Sequence, residues 1–569
     1  MRSSRMRPVS WSTSYLLRSP LGISTSTSNV STSSSTLSGT PSGPVHDRAR
    51  DRAPVAPGTH PTRCLGAVSR TMAPMREARG SKRRGRDVRH SGGGFVRNWL
   101  PPLLVVALLA SGLAAYRFEW GQRYLPWLAA DPATEPEQVL LPAGLDLPEW
   151  SAPIAPTAVD DAAAAVVPDR VASALRADLA DPDLGRHVVG AVSSLAPGSE
   201  PWTSGDGRFL PASTTKLLTV GAALETLGPD HTFTTRVVRG DSPREVVLVG
   251  GGDPLLASRP LTVAEAATAY PTRADVATLA LEVADALGGA GRVRVRYDDS
   301  LFTGPTDNPA WRRDYVPDDI VSPITALMVD GGVAPDGLSR SDDPSLAAAD
   351  AFAEALRAAG LRVADEPRRD VVRPGAEQLA AVEGAPLAQV AERVLDVSDN
   401  EGAEVLAHHV GIATSGTGSF EAGAAGVLAT LDGLGIDVSG DEVYDGSGLS
   451  RRNRISTSTV LGLLQEAADP DSAALRTLVT GLPVAGFTGS LTYRFDEGPT
   501  LARGLVRAKT GTLTGVHALA GIAVDRDGVP LAFVLAADKV APEDRYDAQD
   551  ALDRAAGSLA TCRCSRTPG

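Results

Sequence analysis

The sequence predicts an α+β (mixed α/β) fold, and three observations carry that prediction. The run ADVATLALEVADAL from Ala274 places Val276, Ala280, Val283 and Leu287 on one face of a helix. RVRVRY before Asp298, and the late pair LAGIAVD and PLAFVLAAD, read as strands. These segments interleave without a regular strand–helix–strand repeat, which argues against a doubly wound nucleotide-binding sheet.

Taken in chain order, residues 1–94 come first. They begin with a Ser/Thr-rich, Arg-containing stretch, GISTSTSNVSTSSSTLSGTPSGP, that lacks any sustained hydrophobic period and is expected to be disordered. Its shortage of acids resembles a transit peptide in composition. A start at Met72 or Met75 instead gives a basic segment, REARGSKRRGRDVR, ahead of an apolar run. Residues 95–118 contain that run, Trp99 to Tyr116, free of charge and nearly long enough as a helix to cross a hydrocarbon core of about 30 Å. The basic flank predicts an anchor with its N-terminus in the cytoplasm. A cleaved signal peptide competes, since Gly112-Leu113-Ala114 supplies small residues. Either way the remainder lies beyond the cytoplasm, at the outer face of the cell membrane or secreted. Residues 119–168 form a Pro/Ala-rich spacer.

The 569 residues leave room for about two to four domains. A formal net charge of −13 argues against a nucleic-acid binder. Cys562 and Cys564 are too close in sequence for an unstrained bridge and lack a second ligand pair for zinc, so they read as tail residues without a role.

Candidate chemistry starts from a scarcity. The 55 basic side chains include only four lysines: Lys82, Lys216, Lys509 and Lys539. Arginine keeps its proton in any protein, whereas a buried lysine can become a neutral base. In Ser213-Thr214-Thr215-Lys216, residues three apart share a face of a helix's first turn, so a hydroxyl and its base can meet. Ser398-Asp399-Asn400 is a second motif, and a third is Lys509-Thr510-Gly511-Thr512, where a strand edge presents a cation and hydroxyls, and Gly511 lets a substrate backbone approach. Each alone has an ordinary reading as a cap, loop or hairpin. Together, in this order, they form the set of class A β-lactamases and penicillin-binding proteins, and two of the four lysines fall on its required positions.

The chain resembles the D-alanyl-D-alanine carboxypeptidase/endopeptidase family of low-molecular-mass penicillin-binding proteins, the class C type, peptidase family S13. The resemblance runs from about Asp169 to Ala555 through FLPASTTKLLT, LVGGGDPLL, YDDSLF with Trp311, SPITALMVDGG, VSDNEGAEVLA, YDGSGLSRRNRIS, LPVAGFTGSLTYRF and VRAKTGTLTGVHALAG. It implies a transpeptidase-like serine hydrolase domain, an antiparallel sheet flanked by helices, split by inserted accessory structure. The implied parts are residues 169–239 and 376–560 for the catalytic domain, 240–375 for the insertion and 561–569 for a tail. With 185 residues between Ser213 and Ser398, the insertion is shorter than in the family's best-known members, which implies that one usual subdomain is trimmed.

The resemblance also implies roles. Ser213 attacks the penultimate D-Ala carbonyl of a peptidoglycan stem peptide and Lys216 takes its proton. Ser398 relays a proton to the leaving group, and Asn400 holds the peptide amide oxygen. Lys509, Thr510 and Thr512 bind the terminal carboxylate, with Gly511 between them. Backbone N–H groups of Ser213 and Thr512 form the oxyanion hole. β-Lactams are expected to acylate the same serine. Neither a metal nor a cofactor is called for, and the membrane contact is residues 99–116. Competing readings are a β-lactamase, disfavoured by the absence of an ExxLN-type acidic motif between the second and third motifs, and a non-hydrolytic β-lactam sensor or wall-binding module. LVGGGDPLL lacks the GK[ST] of a phosphate loop, and His408 and His409 point apart on a helix. Ser447 in DGSGLS reads as loop architecture near the site.

Overall fold

The computed structural model describes residues 165–195, 199–289 and 291–566. The Ser/Thr-rich head, the apolar run 99–116 and nearly all of the spacer lie outside the described residues. Among those described, no helix is long and apolar enough to cross a membrane.

A five-stranded sheet organises the catalytic part. Its spatial order is Val506–Leu513, Val516–Val524, Pro530–Ala537, Val188–Ser194 and Trp202–Ser204, with every neighbouring pair antiparallel. Leu513 pairs with Val516, so a two-residue Thr514–Gly515 turn fixes the register of the first hairpin. The central strand PLAFVLAA is apolar almost throughout because both of its faces are covered. Leu531, Phe533, Leu535 and Ala537 enter one core, whereas Ala532, Val534 and Ala536 enter the other. Each large apolar side chain so buried contributes about 1.5–3 kcal/mol.

The first core is closed by the terminal helices, Pro168–Leu179 and Arg545–Thr561, which bury Val171, Leu175, Ala551, Leu552 and Leu559 against the sheet. Ala165–Val166 and Ser565–Arg566 pair as a short antiparallel ladder, which ties the two ends of the unit together. Contrary to the expectation from their spacing, Cys562 and Cys564 are not tail residues without a role. Cys562 and Cys564 form a disulfide, because the chain extends between them and sets their Cα atoms 5.3 Å apart, within reach of a bridge.

The second core surrounds the helix Thr215–Leu227, of which residues 215–224 are all buried. A helix apolar all round must sit inside the fold. It packs against the helices Leu387–Asp396, Asn400–Ser415 and Phe420–Gly433.

Residues 234–383 build a separate sheet with its own core. Gln378–Glu383, Thr234–Arg239 and Glu245–Val249 pair antiparallel in that order, and Arg292–Asp298 then adds in parallel to Glu245–Val249. The parallel step needs a crossover, and the amphipathic helix Val276–Ala286 lies within it. Val276, Leu279, Ala280 and Val283 face the sheet, while the Asp275 carboxylate caps the helix by accepting from Thr278 N–H at 2.7 Å. The helix Pro344–Ala358 packs beside it.

Candidate active site

Ser213 lies in a single 3₁₀ turn, Ala212–Thr214, that runs straight into the helix beginning at Thr215. Two close backbone approaches fix this turn. A Cβ on Gly448, whose φ is +85°, would lie 1.8 Å from the Ala212 carbonyl oxygen. A Cβ on Gly511 would lie 2.5 Å from the Pro211 carbonyl oxygen. Glycine is therefore required on both sides, where the loop 446–448 and the strand Val506–Leu513 close on the serine. Ala212 itself has φ 46°, an angle that costs a non-glycine residue energy and that packing must hold.

Three groups meet the Lys216 amine, which is fully buried. Asn400 Oδ1 accepts from it at 2.8 Å, the Ser447 carbonyl at 2.7 Å, and Ser213 Oγ stands 3.1 Å away. Asn400 Oδ1 and the carbonyl only accept, so they consume the two N–H bonds of a neutral amine. The lone pair then faces the Ser213 hydroxyl, which is the arrangement a base needs. Burial pushes the Lys216 pKa down to about 8, against the opposing pull of Glu404, Asp445, Asp399 and Glu401. Acylation of Ser213 is accordingly expected to rise with pH, close to tenfold per unit below about 8, and to level off above it. Second-order rates with a fluorescent penicillin between pH 6 and 9, values set about the midpoint, check this.

Ser398 sits at φ 61° between the helices Leu387–Asp396 and Asn400–Ser415. Asp399 caps the second helix by accepting from Gly402 N–H at 2.9 Å, which leaves Asn400 as its first residue, turned toward Lys216. Lys509 is also fully buried on its strand and donates to the Thr510 carbonyl at 3.0 Å. Burial first, then the nearby Lys216 charge, hold its pKa well below the ordinary lysine value, while Asp396 opposes them. The Thr510 hydroxyl donates to Ser490 Oγ at 3.0 Å, and Thr512 is exposed.

The structure thus brings Ser213, Lys216 and Asn400 into direct contact, and it puts Ser398 in the residue pair leading into Asn400's helix. Two carboxylates escaped sequence reasoning. Glu404 is fully buried and accepts from Gly446 N–H at 3.0 Å and Ser447 N–H at 2.8 Å. Burial and then Asp445 raise its pKa. Asp445 accepts from Gly448 N–H, Ser450 N–H, Asn453 Nδ2 and Trp311 Nε1, at 3.1, 2.6, 2.7 and 2.8 Å. Together they clamp the loop whose Ser447 carbonyl receives the Lys216 amine. The available signal was spacing, since Glu404 lies one helical turn after Asn400. Ser447 contributes its backbone here, as loop architecture. His408 and His409 are buried among Phe233, Phe302 and Phe420, His408 Nδ1 against the Glu404 carbonyl and His409 Nε2 against that of Gly252.

A serine whose adjacent base, among the described residues, is a buried lysine, set at the start of a helix beside an antiparallel sheet, defines a serine hydrolase of the penicillin-recognising type. The model of the D-Ala-D-Ala carboxypeptidase 3 (S13) family matches residues 171–340 and 336–559, and the chain belongs to that family. A carboxypeptidase of Mycobacterium tuberculosis is 36% identical over 447 residues, covering 76% of this chain and 90% of the relative. Carboxypeptidase DacB of Mycolicibacterium smegmatis is 38% identical over 405 residues, covering 69% of this chain and 84% of the relative. Among solved structures, penicillin binding protein 4 from Haemophilus influenzae shares the fold with a TM-score of 0.55 at 20% identity, over 68% of this chain and 97% of the other.

Proposed function

We propose that the protein is a serine DD-carboxypeptidase, with DD-endopeptidase activity on cross-links, acting on D-Ala linkages of peptidoglycan stem peptides. The observation that carries this reading is the buried Lys216 amine 3.1 Å from Ser213 Oγ with its N–H bonds taken by Asn400 and Ser447. The names of the relatives, carboxypeptidases all, support it.

In the first step Ser213 Oγ attacks the carbonyl carbon of the penultimate D-Ala and its proton passes to Lys216 Nζ. The oxyanion is received by the backbone N–H groups of Ser213 and Thr512. Ser398 relays the proton held on Lys216 to the departing amine, the C–N bond breaks, and an ester on Ser213 and a neutral Lys216 remain. Water then attacks the ester carbonyl and restores the serine. Asn400, besides fixing Lys216 through Oδ1, holds the substrate amide oxygen through Nδ2, which in the free protein makes only a long 3.4 Å bond to the Ile320 carbonyl. The terminal carboxylate meets the hydroxyls of Thr510 and Thr512, with the Lys509 charge behind them. A β-lactam follows the same first step and leaves the ring-opened acyl group on Ser213. The H. influenzae protein has itself been solved complexed with a β-lactam. The basic flank before residues 99–116 supports an extracytoplasmic location for this chemistry, reached through an anchor or a cleaved signal.

The test is release of D-Ala from a stem pentapeptide by the purified protein and by its Ser213→Ala variant. Release by the first and none by the second is the expected result; release by both would refute the serine mechanism. Lys509→Ala is expected to raise KM about 10- to 100-fold with a smaller change in kcat, the worth of one charge-assisted contact made equally in the ground and transition states. Steady-state kinetics on the same pentapeptide check it.

A further inference from the structure

Beside Ser398, between the catalytic helices and the turn at Asp330, lies a cavity of about 190 Å³. Arg273, Arg340 and Arg393 line it, together with Asp330, Asp399 and Glu401. The carboxylates are already engaged. Glu401 accepts from Ser322 N–H at 3.0 Å and from Arg340 Nη2 at 3.1 Å. Asp399 accepts from Gly402 N–H, and Asp330 from Ser258 N–H at 3.3 Å.

The guanidinium groups are not all matched. Arg273 is half-buried and makes no hydrogen bond or close ion pair with any described residue, its charge being met only at longer range by Asp330, Asp399 and Asp253. Arg393 Nε is buried without a hydrogen bond, its partner Asp399 Oδ2 standing 3.6 Å away. Two arginines with spare donors around one hollow form a place for a planar anion, because a guanidinium fork matches a carboxylate.

We propose that this cavity is a carboxylate subsite for the strand released from a cross-linked substrate, with Arg273 and Arg393 as its donors. The proposal rests on the peptidase reading above and names the part of the substrate that the established motifs leave unplaced. Ser398 and Asn400 both line the cavity, and the role of Ser398 toward the leaving amine is what assigns the hollow to the leaving side in this proposal. A carboxypeptidase substrate releases one D-Ala, which ends at the Lys509–Thr512 carboxylate site. A cross-linked substrate releases a whole second strand, and only that strand carries a further carboxylate to offer Arg273.

The test compares cleavage of a cross-linked stem-peptide dimer with D-Ala release from a pentapeptide, using the full chain. Arg273→Ala is expected to lower the ratio of dimer cleavage to pentapeptide release about tenfold, the scale of one exposed-side charged contact, and Arg273→Lys to recover part of it. Penicillin acylation of each variant reports that the site is folded. A second arm needs no variant. A dimer whose released strand has its carboxylates amidated, except the one at Lys509, should be cut about tenfold more slowly by the unaltered protein and should not respond to Arg273→Ala. An unchanged ratio in Arg273→Ala, or an amidated dimer cut as fast as the acid, overturns the subsite. If the unaltered protein cuts neither substrate and penicillin does not label Ser213, the peptidase reading fails and the subsite with it.

Discussion

Lys216→Arg is expected to lower acylation of Ser213 by penicillin roughly 10³- to 10⁴-fold, the range lost when a positioned general base is removed. The substitution keeps a positive charge and N–H donors for Asn400 Oδ1 and the Ser447 carbonyl, so electrostatics and hydrogen bonding change least. What it removes is the lone pair, because guanidinium does not surrender its proton near neutral pH. Ser213→Ala goes further and leaves no covalent adduct at all in intact-mass analysis. Lys216→Ala tests the same assignment from the other side. It opens space next to Ser213, and added small alkylamines should restore part of the rate, more so as pH rises. Rescue that ignored pH, or an adduct on the Ser213→Ala variant, would mean that another pair performs the chemistry.

Much of this site was legible because its chemistry needs rare residues at fixed spacings. Lysine stands out in an arginine-rich chain, and Ser213 with Lys216 has the three-residue separation that a helix turn brings together. The glycine in Lys509-Thr510-Gly511-Thr512 was readable as a close approach, and within the protein the Pro211 carbonyl makes one. The sheet was legible where strands are short, apolar and separated by turn residues, as in LAGIAVD and PLAFVLAAD.

Other features had no local signature. Arg292–Asp298 alternates arginine with valine and tyrosine, a pattern that predicts a strand but not its partner. Its parallel pairing with Glu245–Val249 is decided by packing of the intervening helix. The disulfide at Cys562 looked geometrically poor in sequence terms, yet the extended link between the two residues makes it possible. Glu404 is the clearest case. A glutamate in NEGAEVLAHH reads as a solvent-facing helical residue, since an isolated buried carboxylate is costly. Its burial follows from a loop more than forty residues later whose backbone N–H groups satisfy it.

That dependence gives Glu404 the second large effect. Glu404→Leu, similar in size, strands the Gly446 and Ser447 N–H groups inside the protein, and each unpaired donor costs about 1–3 kcal/mol. Global stability should therefore fall by about 2–6 kcal/mol, which at roughly 2–4 °C per kcal/mol is a drop of about 4–24 °C in Tm, read by calorimetry. The catalytic loss has a separate cause. Freed from the carboxylate, the 446–448 loop no longer holds the Ser447 carbonyl against Lys216, and the amine is free to rotate its lone pair away from Ser213. Acylation should fall about 100-fold even below the melting range. Glu404→Gln separates position from charge. It retains one accepting oxygen and most of the packing, but cannot carry the negative charge that most strongly opposes the burial-driven fall of the Lys216 pKa. Burial raises the Glu404 pKa itself to about 8, so that charge is present chiefly at and above the Lys216 midpoint, where its removal is felt. The amine then loses its proton more easily, so the midpoint of the acylation profile should move to lower pH. A residue that only filled space would lower stability without moving that midpoint.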